Sequence, residues 1–245
     1  VVQTPVAFLT CNFTQPLDGK PALLTHDDVI TLFHEFGHGL HHLLSLVEEP
    51  SVTGISGVPW DAVELPSQFL ENWCWERGAL DLVTSHVDTG EPLPDKLLQK
   101  LREAKNFQSG MQMVRQLEFA LFDFRLHAST AQISSDAIHR LLDDVRQQVA
   151  VVTPPPFDRF PHAFSHIFAG GYAAGYYGYL WSEVLSADAY NRFEQEGVFN
   201  ATVGRAFLQH VLETGGVEDP LDVFRAFRGR EPSIDAFLRH SGLNA

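Results

Sequence analysis

Residues 25–45 read THDDVITLFHEFGHGLHHLLS. Thr25 suits a helix N-cap, and Asp27 and Asp28 place negative charge in the first turn, where it meets the positive end of the helix dipole. Val29, Ile30, Phe33, Phe36, Leu40, Leu43 and Leu44 then recur at steps of three and four, the period of one helix face. Gly37 and Gly39 each cost such a helix about 1 kcal/mol against alanine. Glycines kept at that cost point to close packing against the backbone.

Upstream, Val6, Phe8 and Thr10 alternate with Ala7, Leu9 and Cys11 after Pro5, a period-two pattern that predicts a small β element. Downstream, a Gly-, Ser- and Pro-rich loop spans residues 50–59. A second helix is expected to start near residues 61–66, with Pro66 tolerated in its first turn, and to carry Phe69, Leu70, Trp73 and Leu80 inward. Further helices are expected over residues 94–106, 108–129 and 135–151. Pro154, Pro155 and Pro156 stop regular structure, and residues 157–171 read as a loop. A long aromatic helix is expected over residues 172–196, followed by shorter ones near 200–213, 219–228 and 233–240. The class is mainly α, with the small β element near the N-terminus. Residues 1–245 read as one unit without internal repeats.

Composition narrows the function. Seventeen Lys and Arg against 31 Asp and Glu give a net charge of −14, with no basic run. Nucleic acid and an anionic membrane surface are poor partners for such a chain. Two cysteines, Cys11 and Cys74, are too few for a disulfide framework or a cysteine-rich zinc site. No apolar run approaches the roughly 18 residues that span a bilayer. The opening VVQTPVAFLTC lacks the basic start and long apolar stretch of a signal peptide. It also lacks a methionine, and the expectation is a chain that starts inside something larger.

The chemistry lies in His34, Glu35 and His38. Helix positions i and i+4 stack on one face, so both imidazoles can reach one ion, and Glu35, one residue round, can reach a water on it. This H-E-x-x-H spacing predicts zinc with a general base. Catalytic zinc takes a third protein ligand. His41 and His42 lie a turn beyond the ion and read as helix-surface residues or as neighbours of the ligands. Glu64 and Glu71, seven residues apart on the second helix, both qualify as the third ligand.

The runs HEFGHGLHHLL, WDAVELPSQFLENWCWE, RQLEFALFDFRLHA, RFPHAFSHIFAGGYAAGYYGYLW and FRGREP resemble the M3 family of zinc oligopeptidases almost from end to end. The resemblance implies a zincin-like helical catalytic domain, the C-terminal catalytic part of a longer enzyme whose missing N-terminal half packs on this chain. It implies one Zn²⁺ ion held by His34, His38 and Glu64, with Glu35 as general base and Glu71 orienting a ligating histidine. It also implies that His166, Tyr172, Tyr176 and Tyr179 face the metal and stabilise an oxyanion. Spacing alone reads that tyrosine stripe as core packing or surface just as well. The glycines at 170, 171, 175 and 178 suit either a closing loop or close helix packing. The implied activity is cleavage of internal bonds in short peptides, and the implied location of the protein is cytoplasmic. Two alternatives stand beside it: removal of C-terminal dipeptides, with a residue such as Arg159 clamping the substrate carboxylate, or a zinc-loaded peptide-binding module of little activity.

Overall fold

A computed structural model describes residues 4–20, 22–130 and 134–243. The Thr25 cap forms as a reciprocal pair: Thr25 Oγ1 accepts from the Asp28 N–H at 3.2 Å, and Asp28 Oδ2 accepts from the Thr25 N–H at 2.8 Å. Helix α1 follows over His26–Leu44. Its buried face carries Gly37, Gly39 and His41, and there it meets α2, Leu65–Glu71. A Cβ at Gly37 would lie 2.5 Å from Ser67 Cα and 2.6 Å from the Pro66 carbonyl oxygen. The two helices therefore touch backbone to backbone at this point.

The chain continues through a 3₁₀ turn at Asn72–Trp75, then α3 (Arg77–Val83), α4 (Asp95–Lys105), α5 (Ser109–His127) and α6 (Ser135–Val149). Two single-turn helices, α7 (Phe160–Ala163) and α8 (Ser165–Phe168), lead to the long α9, Gly178–Glu196. After it come α10 (Ala201–Phe207) with a π turn at Leu208–Leu212, α11 (Pro220–Arg228) and α12 (Asp235–His240).

Helix α9 is buried around most of its circumference and serves as the central post. Leu185, Ala189, Tyr190 and Phe193 pack with Leu65 and Phe69 of α2, Phe207 of α10, and Phe224 and Phe227 of α11. Phe69 stacks on Phe207 at 3.9 Å between ring centroids. Burying each such phenylalanine contributes about 1.5–3 kcal/mol. A second core joins α5 and α6 to α7 and α8 through Phe122, Leu142, Val145, Phe164 and Ile167. One buried charge ties the C-terminal segment to the post. Asp188 of α9 accepts from Arg228 and Arg230 and from the Ser233 N–H, the last at 2.7 Å. No helix among the described residues is long and apolar enough to cross a membrane.

Four expectations change. Among the described residues no strand forms, so the small β element is not present here. The alternation is broken: Ala7, Cys11 and Phe13 are partly buried and Val6, Phe8, Thr10 and Asn12 exposed, but Leu9, expected with the inward set, is 44% exposed. A strand also needs a laddered neighbour, and this segment runs without one. The second helix breaks after Glu71, where the Asn72 side-chain amide donates to the carbonyls of Gln68 and Phe69 and closes the helix end. The loop at 157–171 contains α7 and α8, because Pro161 sits in a first turn and Phe160, Phe164 and Ile167 anchor one face. The aromatic helix starts at Gly178, six residues later than expected, since Ala174 takes a left-handed conformation at φ 57°.

Gly37→Ala should destabilise the protein by about 3 kcal/mol, because only backbone surrounds the added methyl. Gly39→Ala should be close to neutral, since its methyl meets only the tip of Leu9 at 3.2 Å and gains about 1 kcal/mol of helix propensity. Urea midpoints of the two variants test this, and equal losses would refute the backbone contact.

His41 is 3% exposed, and both its ring nitrogens lack a hydrogen-bond partner among the described residues. It is no surface residue: it lies against Val58, Ala62, Leu65 and Val211. Burial, helped by the neighbouring His38 and His42, lowers it to about 4. Its folded pKa lies below the unfolded value of about 6.5, so its share of stability is complete above that pH and drains away as pH falls toward 4. The loss is on the order of 3 kcal/mol. In metal-free protein, His41→Leu should gain stability relative to wild type between pH 7 and 4.5. A gap that stays constant with pH would contradict the assignment.

Candidate metal centre

The backbone contact at Gly37 sets Glu64, at the N-terminal edge of α2, under the histidine face of α1. His34 Nε2 lies 3.3 Å, and His38 Nε2 3.0 Å, from the same Glu64 oxygen, Oε2. The donor atoms of His34, His38 and Glu64 fall within 4.8 Å of one another. The two imidazoles stand nearly perpendicular, with centroids 5.0 Å apart. Glu71, two turns along α2, sits on the far side: its Oε1 is 2.7 Å from His34 Nδ1.

Glu64 is 3% exposed, and its carboxylate is well supplied with donors. Ser67 Oγ donates to Oε2 at 3.1 Å and the Tyr172 hydroxyl donates to Oε1 at 2.8 Å. Burial works against the carboxylate charge, but the hydrogen bonds from His34, His38 and Tyr172 outweigh it and hold Glu64 well below the usual carboxylate range. The same balance acts on His34. Burial opposes its charge, yet Glu64 and Glu71 together raise it to about 10. Two carboxylates thus demand a positive charge between them. Two imidazoles and a carboxylate are the donor set that zinc takes, so the residues present fit that ion. Glu35 is partly buried on the next position of α1, and no side chain among the described residues pairs with it.

The tyrosines lie above Glu64. Tyr172 stacks on Tyr179 with centroids 4.8 Å apart and meets the Trp60 indole at 4.6 Å. The His166 ring is exposed and lies 5.8–6.3 Å from the three tyrosine rings. Burial raises all three phenols, with Tyr179 and Glu64 adding to the shift at Tyr172. Each therefore remains a protonated donor at neutral pH. Their directions differ. Tyr172 is bound to Glu64, whereas the Tyr176 hydroxyl turns aside to Gln116 at 3.1 Å. The helix that carries Tyr179 is packed tight, since a Cβ at Gly178 would lie 2.9 Å from Asp61 Cα and from the Trp60 carbonyl oxygen. Close packing, rather than freedom to move, accounts for that glycine. Arg159 donates to the carbonyls of Pro156 and Asp158 and lines a cleft with His139, Arg146 and Asp158.

Three residues escaped the sequence reading. Ser67 fixes Glu64 from one helical turn away, a spacing that could have been noticed. Gln68 donates to the Tyr179 carbonyl at 3.1 Å and has no comparable signal. Asp123, an acid flanked by apolar residues in FALFDF, receives the backbone N–H groups of Ala174 and Tyr176.

Residues 1–243 match peptidase family M3. The chain is 62% identical over 242 residues to oligopeptidase A of Salmonella typhimurium and 61% identical to that of Escherichia coli. It is also 40% identical over 244 residues to the dipeptidyl carboxypeptidase of Escherichia coli. These alignments take in 98–99% of this chain and 35–36% of the relatives, so the chain spans about a third of their length. With the whole of its fold inside the match, this chain belongs to peptidase family M3.

Proposed function

We propose that the chain carries the catalytic centre of a zinc-dependent metalloendopeptidase that cleaves internal bonds of short peptides. The observation that carries this reading is the convergence of His34, His38 and Glu64 on one point, next in the chain to a carboxylate, Glu35, that has no side-chain partner among the described residues. His34, His38 and Glu64 would hold a single zinc ion. Bound there, zinc supplies Lewis acidity, polarising a carbonyl and bringing the pKa of water to about 7. Glu35 accepts the proton of the attacking water and passes it to the leaving amine. Glu71 fixes the ring of His34 through Nδ1 and makes it a better donor. His166 and the neutral phenols of Tyr172 and Tyr179 offer donors to the oxyanion that forms on the peptide carbonyl, and the Tyr176 phenol joins them by leaving Gln116.

Beside Glu71 opens a cleft of about 390 Å³ whose mixed wall sets Gln68, Asn72 and Gln116 beside Trp75, Met113 and Leu180, suited to both the backbone and the apolar side chains of a peptide. The curated relatives named oligopeptidase A support peptides as substrates. The outer face of α1 leaves Leu32, Phe36 and Leu43 exposed. We take that apolar row as the seat of further polypeptide, in keeping with relatives about three times as long. A cytoplasmic location accompanies this reading.

Glu35→Gln should leave metal content unchanged and lower turnover of a fluorogenic peptide by about 10²–10⁴-fold. Near-normal turnover in the metal-loaded variant would overturn the mechanism.

Glu64→Ala should abolish tight zinc binding, whereas Glu71→Ala should weaken it by about 10–100-fold. Titration against a chromogenic chelator ranks the two, and the reverse order would exchange their roles.

A further inference from the structure

Asp123 is an acidic side chain fully buried near the end of α5. Its side chain makes three contacts. Oδ1 accepts from the Ala174 N–H at 2.9 Å and lies 2.8 Å from His127 Nδ1; Oδ2 accepts from the Tyr176 N–H at 2.9 Å. A buried carboxylate is tolerated only when it is satisfied in this way. Two of its partners are backbone groups of one short turn, residues 172–177, that carries Tyr172 and Tyr176. That turn is not relaxed: Ala174 holds φ 57°, a left-handed conformation disfavoured for a residue with a Cβ. The Gly175 N–H closes the turn on the Tyr172 carbonyl at 2.8 Å. At one end Tyr172 reaches Glu64, and at the other Tyr176 reaches Gln116.

We propose that Asp123 is the positioning residue of the tyrosine turn, its carboxylate gripping the N–H groups of Ala174 and Tyr176 so that the strained backbone aims the Tyr172 phenol at Glu64. A carboxylate is needed because both donors arrive on separate oxygens of one planar group, and His127 Nδ1 meets Oδ1 from the partly open side. The turn is thereby preorganised from α5, and the tyrosines need no ordering step when peptide binds. The inference rests on the peptidase reading above for its kinetic consequence, but not for its structural one.

The test is Asp123→Asn in the native polypeptide, a replacement of equal size that turns one oxygen into an N–H donor facing another donor. In metal-free wild-type protein, the Ala174 and Tyr176 amides should exchange with deuterium far more slowly than the exposed Ala173. Equal exchange at the three positions would overturn the proposal even if Asp123→Asn fails to fold. In the folded variant, exchange at Ala174 and Tyr176 should rise at least tenfold. Adding Ala174→Gly, which accepts the left-handed backbone freely, should restore part of the protection. A purely structural role of Asp123 in the α5–α6 core would give no such rescue. On a short peptide, the zinc-loaded variant should lose about 100-fold in kcat with KM changed less than threefold and metal content intact. Full kcat in the variant would overturn the inference. A wild type that cleaves no peptide would overturn the peptidase reading instead, while the exchange data would still decide the role of Asp123.

Discussion

Helix α1 rests on α2 without a side chain between them, and everything at the metal centre follows from that approach. Helix axes are ordinarily held apart by the residues at their crossing. At Gly37 there is none, and the backbone of Pro66 and Ser67 occupies the space a methyl would fill. The closeness lets a residue at the very edge of α2 reach two side chains of α1 that are one turn apart. Glu64 meets His34 and His38 through a single oxygen. A wider crossing would leave the carboxylate in contact with one imidazole at best.

Charge then organises what geometry has assembled. Glu64 is shared among two imidazoles, a serine hydroxyl and a phenol, so it stays ionised despite its burial. Glu71 repeats the demand from the other side of His34. The tyrosines above are pushed the opposite way, toward the neutral donor form. A negative floor beneath a layer of neutral hydrogen-bond donors suits a reaction that brings in a cation and develops an oxyanion next to it.

Much of this was legible in the residues. The period of α1, its Thr25 cap and the four-residue spacing of the histidines are local properties, and local properties survive folding intact. The glycines at 37 and 39 marked close packing, although only at Gly37 is the neighbour a backbone. What could not be read was what distant segments supply to one another. The alternation at the N-terminus survives only in part, with Leu9 turned out, and a strand is in any case a property of two segments, one of which was missing. The break after Glu71 depends on a side chain, Asn72, folding back on its own helix. The late start of α9 depends on Asp123, fifty residues upstream in α5, and no periodicity reports such a contact. The buried acid in an apolar run was the available sign.

The tie between Asp188 and the segment beyond α11 sets a boundary on how short the chain can be made. Arg230 and the Ser233 amide lie past the last turn of α11, in residues that a protease would find as a surface link between two helices. Cutting the chain there, or ending an expression product before residue 230, would leave a carboxylate inside the α9 core with only Arg228 to balance it. Breaking up a buried ion cluster in this way costs about 3–5 kcal/mol, a large share of the 5–15 kcal/mol that holds a typical domain together. The C-terminal seventeen residues after Arg228 therefore act as a lock on the central post, and digestion at this link would be felt as unfolding rather than as the loss of a tail.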